Sequence, residues 1–237
     1  MKKIIFSLLV AFMSLGLLVG CGEETPETPD EPKDPVVNPG ESEGNKEEYP
    51  KLENITVEAL EEYPVTDGKY FLYDISDSGN GIRVYDYTGT NDIVVIPEEI
   101  NGKKVEQVAG YTFANDSFVR GVVIPETVTS LYETFINNTK IEVVIAKGVT
   151  DLGYATFSNC VSLKYLILSD KLTTIGETAI CACESLIELY IPATLTQMDQ
   201  NAKDMFLYLC DKVTIYGEAG SYIETVCQEK GIPFVAK

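Results

Sequence analysis

The apolar positions of this chain recur as short strand-like runs, each ending in Ile-Pro or a close substitute. If the residue after the last core Ile or Leu is the anchor, successive anchors are 28, 21, 23, 23 and 24 residues apart. The anchors are Pro97, Pro125, Ala146, Ser169, Pro192 and Tyr216. A period of roughly 20–29 residues indicates a stacked solenoid, because no single unit can bury its own apolar face.

One clear repeat spans residues 143–165. It opens with an alternating strand at 143–145, and its next apolar residues, Val149 and Leu152, are three apart. This spacing predicts a tight turn and a short helical segment on the opposite side. One position is aromatic in three consecutive repeats, as Phe113, Phe135 and Phe157, and is then Ile180. The fifth unit, 200–210, is irregular.

The two ends of the repeat region carry different patterns. Residues 70–76 and 82–87 alternate around a turn, which predicts a β-hairpin. Residues 221–230 predict a helix that ends at Gly231. Both would protect an open end of a solenoid, where core and strand edge are otherwise exposed.

Two segments carry a family resemblance. Val-Val-Ile-Pro-Glu-Thr-Val-Thr-Ser-Leu at 122–131 and Ala-Thr-Phe-Ser-Asn-Cys-Val-Ser-Leu at 155–163 resemble the BspA-type leucine-rich repeats of bacterial surface proteins. The likeness covers residues 70–237. It implies an α/β solenoid with one parallel strand per repeat, an N-terminal β-hairpin cap and a C-terminal helical cap.

The N-terminal residues have the composition of an export signal. Two lysines precede the apolar stretch 4–19, which leads into Leu18-Val19-Gly20-Cys21. This tetrapeptide resembles a bacterial lipobox, which implies cleavage of the signal peptide 1–20 and a diacylglycerol (with palmitate-type chains) on the sulfur of Cys21. The alternative is an uncleaved membrane helix, for which a stretch of about 16 residues is marginal.

An acidic, proline-rich segment follows. Between residues 23 and 50 there are six Pro, ten acidic residues and only two Lys. Such a composition does not bury enough apolar area to offset chain entropy, so we expect 21–50 to be a disordered tether. An acidic partner-binding arm is the alternative. Residues 51–69 form an N-terminal extension before the repeats at 70–237.

The charge balance and the absent histidine exclude several functions. The net charge is −19, with 18 basic and 37 acidic residues, so we expect no binding to nucleic acid and membrane contact only through the lipid anchor. With no histidine, Ser-His and Cys-His nucleophile pairs are impossible within the chain. We expect no catalytic residue, no metal and no cofactor.

The cysteines after Cys21 are odd in number: Cys160, Cys181, Cys183, Cys210 and Cys227. Cys160 and Cys183 hold equivalent places in neighbouring repeats, which favours small buried core residues. A disulfide between repeats is the alternative, and the sequence leaves open which of them are free.

Strand alternation predicts which side chains face the solenoid interior. The expected inward residues are Val122, Ile124, Val143, Ile145, Leu166, Leu168, Leu189, Ile191, Val213 and Ile215. The expected outward residues are Val95, Val123, Val144, Ile167, Tyr190 and Thr214, with Tyr165 and Glu188 beside them. Because contiguous exposed apolar residues often mark interaction sites, we hypothesise that this ladder binds a partner. The alternative is plain β-propensity.

The resemblance implies a non-enzymatic, lipid-anchored protein of the bacterial cell envelope whose repeat domain faces outside. Its expected role is adhesion or protein–protein interaction with a protein, matrix or glycan ligand at the cell surface. Two alternatives stay open. One is a glycan-binding or glycan-acting envelope protein, since a glycosidase needs only two carboxylates. The other is a structural envelope component that self-associates.

Overall fold

Each repeat places its apolar run beside that of the next repeat, so the runs become a parallel ladder. The structure is a computed structural model and describes residues 50–115, 117–198, 200–208 and 210–237. Over these residues the chain winds into a parallel β-solenoid of about seven turns. The predicted solenoid is therefore confirmed.

The regular elements are short. The helices are α1 (Val57–Glu61), a 3-10 turn (Gly68–Tyr70), α2 (Gln200–Met205) and α3 (Tyr222–Lys230). The first strands are β1 (Phe71–Ile75), β2 (Ile82–Tyr87), β3 (Ile93–Val95), β4 (Glu99–Ile100) and β5 (Lys103–Val108). The repeats supply β6 (Gly121–Ile124), β7 (Ser130–Leu131), β8 (Val143–Ala146), β9 (Asp151–Leu152), β10 (Tyr165–Leu168), β11 (Thr174–Ile175), β12 (Glu188–Tyr190) and β13 (Gln197–Met198). The last strands are β14 (Thr214–Gly217) and β15 (Phe234–Ala236).

The repeats form two parallel ladders. The main sheet has the order β10-β8-β6-β3, and a second sheet of two-residue strands has the order β13-β11-β9-β7. The expectation of one strand per repeat is therefore incomplete. The second ladder forms because its apolar residue in each repeat is buried in the same core. These residues are Leu131, Leu152, Ile175 and Met198.

Different pairings flank the repeats. At the start, β1 and β2 pair antiparallel, and β2 pairs parallel to β5. At the far end, β12, β14 and β15 form a parallel three-stranded sheet. Helix α3 buries Ile223, Val226 and Cys227 and ends at Gly231, whose φ of 69° is left-handed. Glycine takes this conformation without the steric penalty of a β-carbon.

The side opposite the main sheet is built from turns in most repeats. The predicted short helical segment is wrong there. Among the described residues of the repeats, an α-helix forms only in the fifth unit, as α2. Two left-handed residues interrupt each turn, for example Glu133 and Asn137 at φ 49° and 59°. Their N–H groups donate to the next repeat, to the carbonyls of Tyr154 and Ser158 at 3.0 and 2.8 Å. The backbone donors are therefore satisfied between turns and not within a helix.

The core is one continuous column. Phe113, Phe135 and Phe157 stack with ring centroids 5.5 and 5.1 Å apart and planes 15° from parallel. The repeated aromatic position therefore forms a single buried stack. Cys160 is buried in the same core, where its thiol donates to the Phe135 carbonyl at 3.2 Å, and burial raises the pKa of this thiol to about 12.

Candidate interaction surface

The outward side of the main sheet differs from the expected ladder at its centre. Val144 pairs in register with Val122 and Leu166, and it is fully buried in the main core. The outward place belongs to Ile145, which pairs with Val123 and Ile167. The prediction that Val144 faces solvent is wrong, as is the inward assignment of Val143 and Ile145.

A shorter turn causes this shift. Ala146, not Ile145, aligns with Ile124, so the third repeat has one residue fewer between its strand and Val149. The turn closes at Gly148, where a β-carbon would lie 2.1 Å from the carbonyl oxygen of Glu126. A different signal in the sequence finds the register. In the second, third and fourth repeats a core residue precedes the first inward strand residue by three positions. The pairs are Val119 and Val122, Ile141 and Val144, and Leu163 and Leu166.

The first part of the outward face is covered by the N-terminal extension. Val95 and Val123 point away from the main core, yet Val123 is only 2% exposed. They belong to a second hydrophobic cluster with Leu60 and Tyr63 from the extension. Other members of the cluster are Ile55, Ile93, Val143 and Ile145. Sequence reasoning missed this cover because the extension does not share the repeat pattern.

Polar contacts fix the extension in place. Thr56 caps α1 by accepting a hydrogen bond from the Ala59 amide at 3.2 Å. The amide of Thr66 donates to the Val95 carbonyl at 2.9 Å, and the Val95 amide donates to Thr66 Oγ1 at 3.0 Å. The segment therefore both caps a hydrophobic cluster and hydrogen-bonds to β3.

The rest of the outward face is open. Ile167 is 41% exposed and Tyr190 is 44% exposed, although they continue the row that is buried at Val123. Tyr165 is also exposed. Tyr190 pairs in register with Tyr216, and Glu188, exposed, pairs with half-buried Thr214. We call Tyr165, Ile167, Glu188, Tyr190 and Thr214 the open face.

Charged residues border the open face. The Glu142 carboxylate lies 2.6 Å from both Arg120 and Lys164. Burial raises the pKa of Glu142, but hydrogen bonds from Lys164 and Arg120 outweigh burial and hold this pKa below its ordinary value. At the other end, the Lys237 ammonium lies 3.8 Å from the centre of the Tyr216 ring. The open face thus has an apolar and aromatic centre with charges at its rim.

The cysteines that the structure describes offer no exposed nucleophile. All five thiols after Cys21 are free and buried. The Cys183 amide donates to Cys210 Sγ at 3.3 Å, and the Cys183 thiol donates to the Phe157 carbonyl at 3.1 Å. In the described part of the chain, no cluster of three or more His, Cys, Asp or Glu has the arrangement of a metal site.

Comparison with known families identifies the repeats. Residues 87–210, more than half of the chain, match the model of the BspA type leucine rich repeat region in six copies. The chain belongs to the BspA-type leucine-rich repeat family. No enzyme family is indicated. A search of curated proteins found no match.

Solved structures share the BspA-type fold. A leucine-rich repeat protein of T. pallidum aligns at 24% identity with a TM-score of 0.58, covering 65% of this chain and 71% of that one. A leucine-rich repeat protein of Bacteroides ovatus aligns at 21% identity with a TM-score of 0.51, covering 65% of this chain and 47% of that one. Identities this low establish the fold and leave the ligand open.

Several expectations for this BspA-type protein fall outside the described residues. They are the signal peptide 1–20, lipidation of Cys21 and nearly all of the tether 21–50. Among the residues that the structure does describe, no helix has the length and hydrophobicity of a membrane span.

Proposed function

We propose that this BspA-type protein is a non-enzymatic interaction protein of the bacterial cell surface that binds a partner protein through the open face. One observation supports this above all. The row that holds Val123 is buried under α1, whereas the same row at Ile167 and Tyr190 is exposed. Contiguous exposed apolar and aromatic residues with a charged rim are typical of protein interfaces.

The family supports a binding role in general terms, because leucine-rich repeat proteins suggest protein–protein interaction or adhesion. The proposal adds a location. Cleavage before Cys21 and acylation of its sulfur would anchor the chain, since two or more acyl chains hold a protein stably at a membrane. The acidic segment 21–50 would then carry the repeats away from the bilayer.

The end structures complete the proposed design. The hairpin of β1 and β2 and the helix α3 are proposed to cap the solenoid. Phe71, Val84 and Ile223 support this role because they are buried in the main core. A capped solenoid exposes less core at its ends, which disfavours end-to-end association of the repeat domains.

The partner-binding test compares two double variants. Purified protein is immobilised, and host matrix proteins and surface proteins of neighbouring bacteria are screened for saturable binding. Ile167→Lys with Tyr190→Lys should lower the affinity of a captured partner at least tenfold, because it places two charges in the centre of the interface. Val65→Lys with Tyr208→Lys is the matched control, since both residues are exposed and lie outside the open face. Equal binding by both variants would reject the open face as the site.

The anchor is tested separately. Mass spectrometry of the mature protein should show an N-terminal Cys21 that carries acyl chains, and Cys21→Ser should release the protein from the membrane fraction. A mature chain that keeps residues 1–20, or one without acyl mass on Cys21, contradicts the anchor and leaves the open-face proposal untouched.

A further inference from the structure

A second exposed aromatic group lies on the turns after the two-residue ladder, away from the open face. Tyr132, 52% exposed, and Tyr154, 42% exposed, hold the same position of consecutive repeats. Their ring centroids are 5.8 Å apart and the ring planes meet at 35°. Tyr111, from the preceding turn, is exposed beside them. All three side chains are therefore accessible to a ligand from solvent.

A carboxylate is fixed among these rings. The Glu133 amide donates to the Tyr154 carbonyl at 3.0 Å, and the Glu133 carbonyl accepts from the Tyr111 amide at 3.0 Å. The Tyr111 hydroxyl donates to Glu133 Oε1 at 2.9 Å. This hydrogen bond raises the pKa of Tyr111, so the phenol stays protonated and keeps its donor for Glu133 Oε1.

The packing of the turns holds Tyr132 in place. A β-carbon on Gly153 would lie 2.8 Å from the Leu131 carbonyl oxygen and 3.3 Å from Tyr132 Cδ2. A β-carbon on Gly110 would lie 3.2 Å from the Tyr132 carbonyl oxygen. The absence of side chains at Gly110 and Gly153 therefore lets these turns approach closely beside Tyr132.

A polar groove of about 270 Å³ extends from one side of Tyr132, with Glu106 and Ser130 in its wall. Hydrogen bonds from Ser78 and Ser76 lower the pKa of Glu106, so this carboxylate is also charged near neutral pH. Arg83, on the same groove, lies 2.6 Å from Asp74, which compensates its charge. The groove thus adds a second negative group beside the aromatic rings.

Other tyrosines of this protein form cation–π contacts with lysines. Lysine ammonium groups lie over three other tyrosine rings, at 4.9 Å for Tyr70, 5.4 Å for Tyr222 and 3.8 Å for Tyr216. In the part of the chain that the structure describes, no lysine or arginine lies over the ring of Tyr132 or Tyr154. A cation over an exposed ring is attracted by the electrons of the ring face, and a fixed carboxylate nearby adds to this attraction.

We propose that Tyr132, Tyr154 and Glu133 form a binding site for the lysine or arginine side chains of an extended segment of a partner protein. The rings supply cation–π contacts, and the Glu133 carboxylate supplies the counter-charge. The net charge of −19 favours approach of such a cationic segment. This site is separate from the open face and does not depend on it.

Hexalysine and its fully Nε-acetylated form are the probes, and isothermal titration calorimetry of the full chain is the measurement. Tyr132→Leu with Tyr154→Leu should weaken hexalysine binding roughly five- to thirtyfold, which is the loss of two exposed cation–π contacts. Tyr132→Phe with Tyr154→Phe keeps both ring faces and should bind like the parent protein. Acetylated hexalysine should not bind measurably.

Further variants separate this site from the charge of the whole surface. Glu133→Gln should weaken hexalysine binding, and Tyr208→Leu, at an exposed tyrosine elsewhere, should not. Circular dichroism checks that each variant is folded. Equal affinities of the Leu and Phe double variants would overturn the proposal, since binding would then follow charge alone. Tyrosine-dependent binding of acetylated hexalysine or of a neutral linear oligosaccharide would overturn it as well, because the rings would then bind without a cation.

Discussion

The side chain of Leu60 lies over the backbone of Gly121, where a β-carbon on Gly121 would be only 3.1 Å from Leu60 Cδ1. The extension and the second repeat are therefore in close contact at this point. Leu60 is buried in the cluster that covers β3, β6 and β8. This contact decides how much of the outward face remains for a partner.

Removing the Leu60 side chain should loosen the extension. Leu60→Ala should destabilise its docking by about 2–4 kcal/mol, through lost apolar burial and a new cavity. The Thr66 amide, which is bonded to the Val95 carbonyl, should then exchange with solvent roughly thirtyfold faster or more. Hydrogen exchange followed by mass spectrometry or NMR measures this rate.

Val65→Ala is the matched control, because Val65 lies in the same segment and is 58% exposed. It should change stability by less than about 0.5 kcal/mol. Unchanged exchange at Thr66 in Leu60→Ala would mean that the hydrophobic cluster does not hold the segment.

The shifted register of the third repeat predicts that Val144 and Ile167 tolerate a lysine very differently. Val144→Lys should prevent folding, because it places an unpaired ammonium in the main core beside Val122 and Leu166. Ile167→Lys should cost less than about 1 kcal/mol, since Ile167 is largely exposed. Thermal unfolding followed by circular dichroism compares them. Equal tolerance of the two lysines would restore the register in which Val144 faces solvent.

The fold was predictable because burial of apolar residues repeats along the chain. The strand register was harder to predict, because the turn near Gly148 is one residue shorter than in the other repeats. If the residues of β8 are counted backward from this turn, every side chain of β8 is assigned to the wrong face. If they are counted forward from Ile141, the assignment is correct. A local turn, and not the strand itself, decides the outcome.

The cover over Val123 was not predictable from the repeat. Leu60 and Tyr63 pack in the same hydrophobic cluster as Val123, but they lie outside the repeats, so the repeat period does not predict these contacts. The left-handed turns were partly predictable from the sequence. Asparagine favours this conformation, and two of the left-handed residues are Asn137 and Asn159. The left-handed conformation of Thr178, at φ 52°, was not predictable, because β-branched residues disfavour this conformation.

Thr178 should therefore be a strained position. Thr178→Gly should stabilise the protein by about 0.5–1 kcal/mol, because relief of the left-handed steric penalty exceeds the added entropy of the unfolded chain. Thr196→Gly is the control at an exposed threonine outside the left-handed set, and it should destabilise by about 0.5–1 kcal/mol. Urea denaturation gives both values, and a destabilising Thr178→Gly would show that this turn is not strained.

The ion pairs of Glu142 should make stability depend on pH in a defined direction. Because the pKa of Glu142 is below its ordinary value in the folded protein, its contribution is complete above the unfolded value of about 4.3. The contribution is lost as the pH falls through the lower folded value. Glu142→Gln lacks this proton linkage, so the stability difference between parent and variant should be largest near pH 6 and should shrink towards pH 3.

Lys164→Met is the matched partner variant, because it removes one of the two cations that hold the Glu142 carboxylate and keeps the contact with Arg120. It should show a smaller pH-dependent contribution than the parent protein and a larger one than Glu142→Gln. Urea denaturation at pH 3, 4, 5 and 6 measures all three proteins. A parent-to-Glu142→Gln difference that stays constant over this range would show that Glu142 titrates alike in the folded and unfolded chains. The border of the open face would then owe its stability to packing and not to these ion pairs.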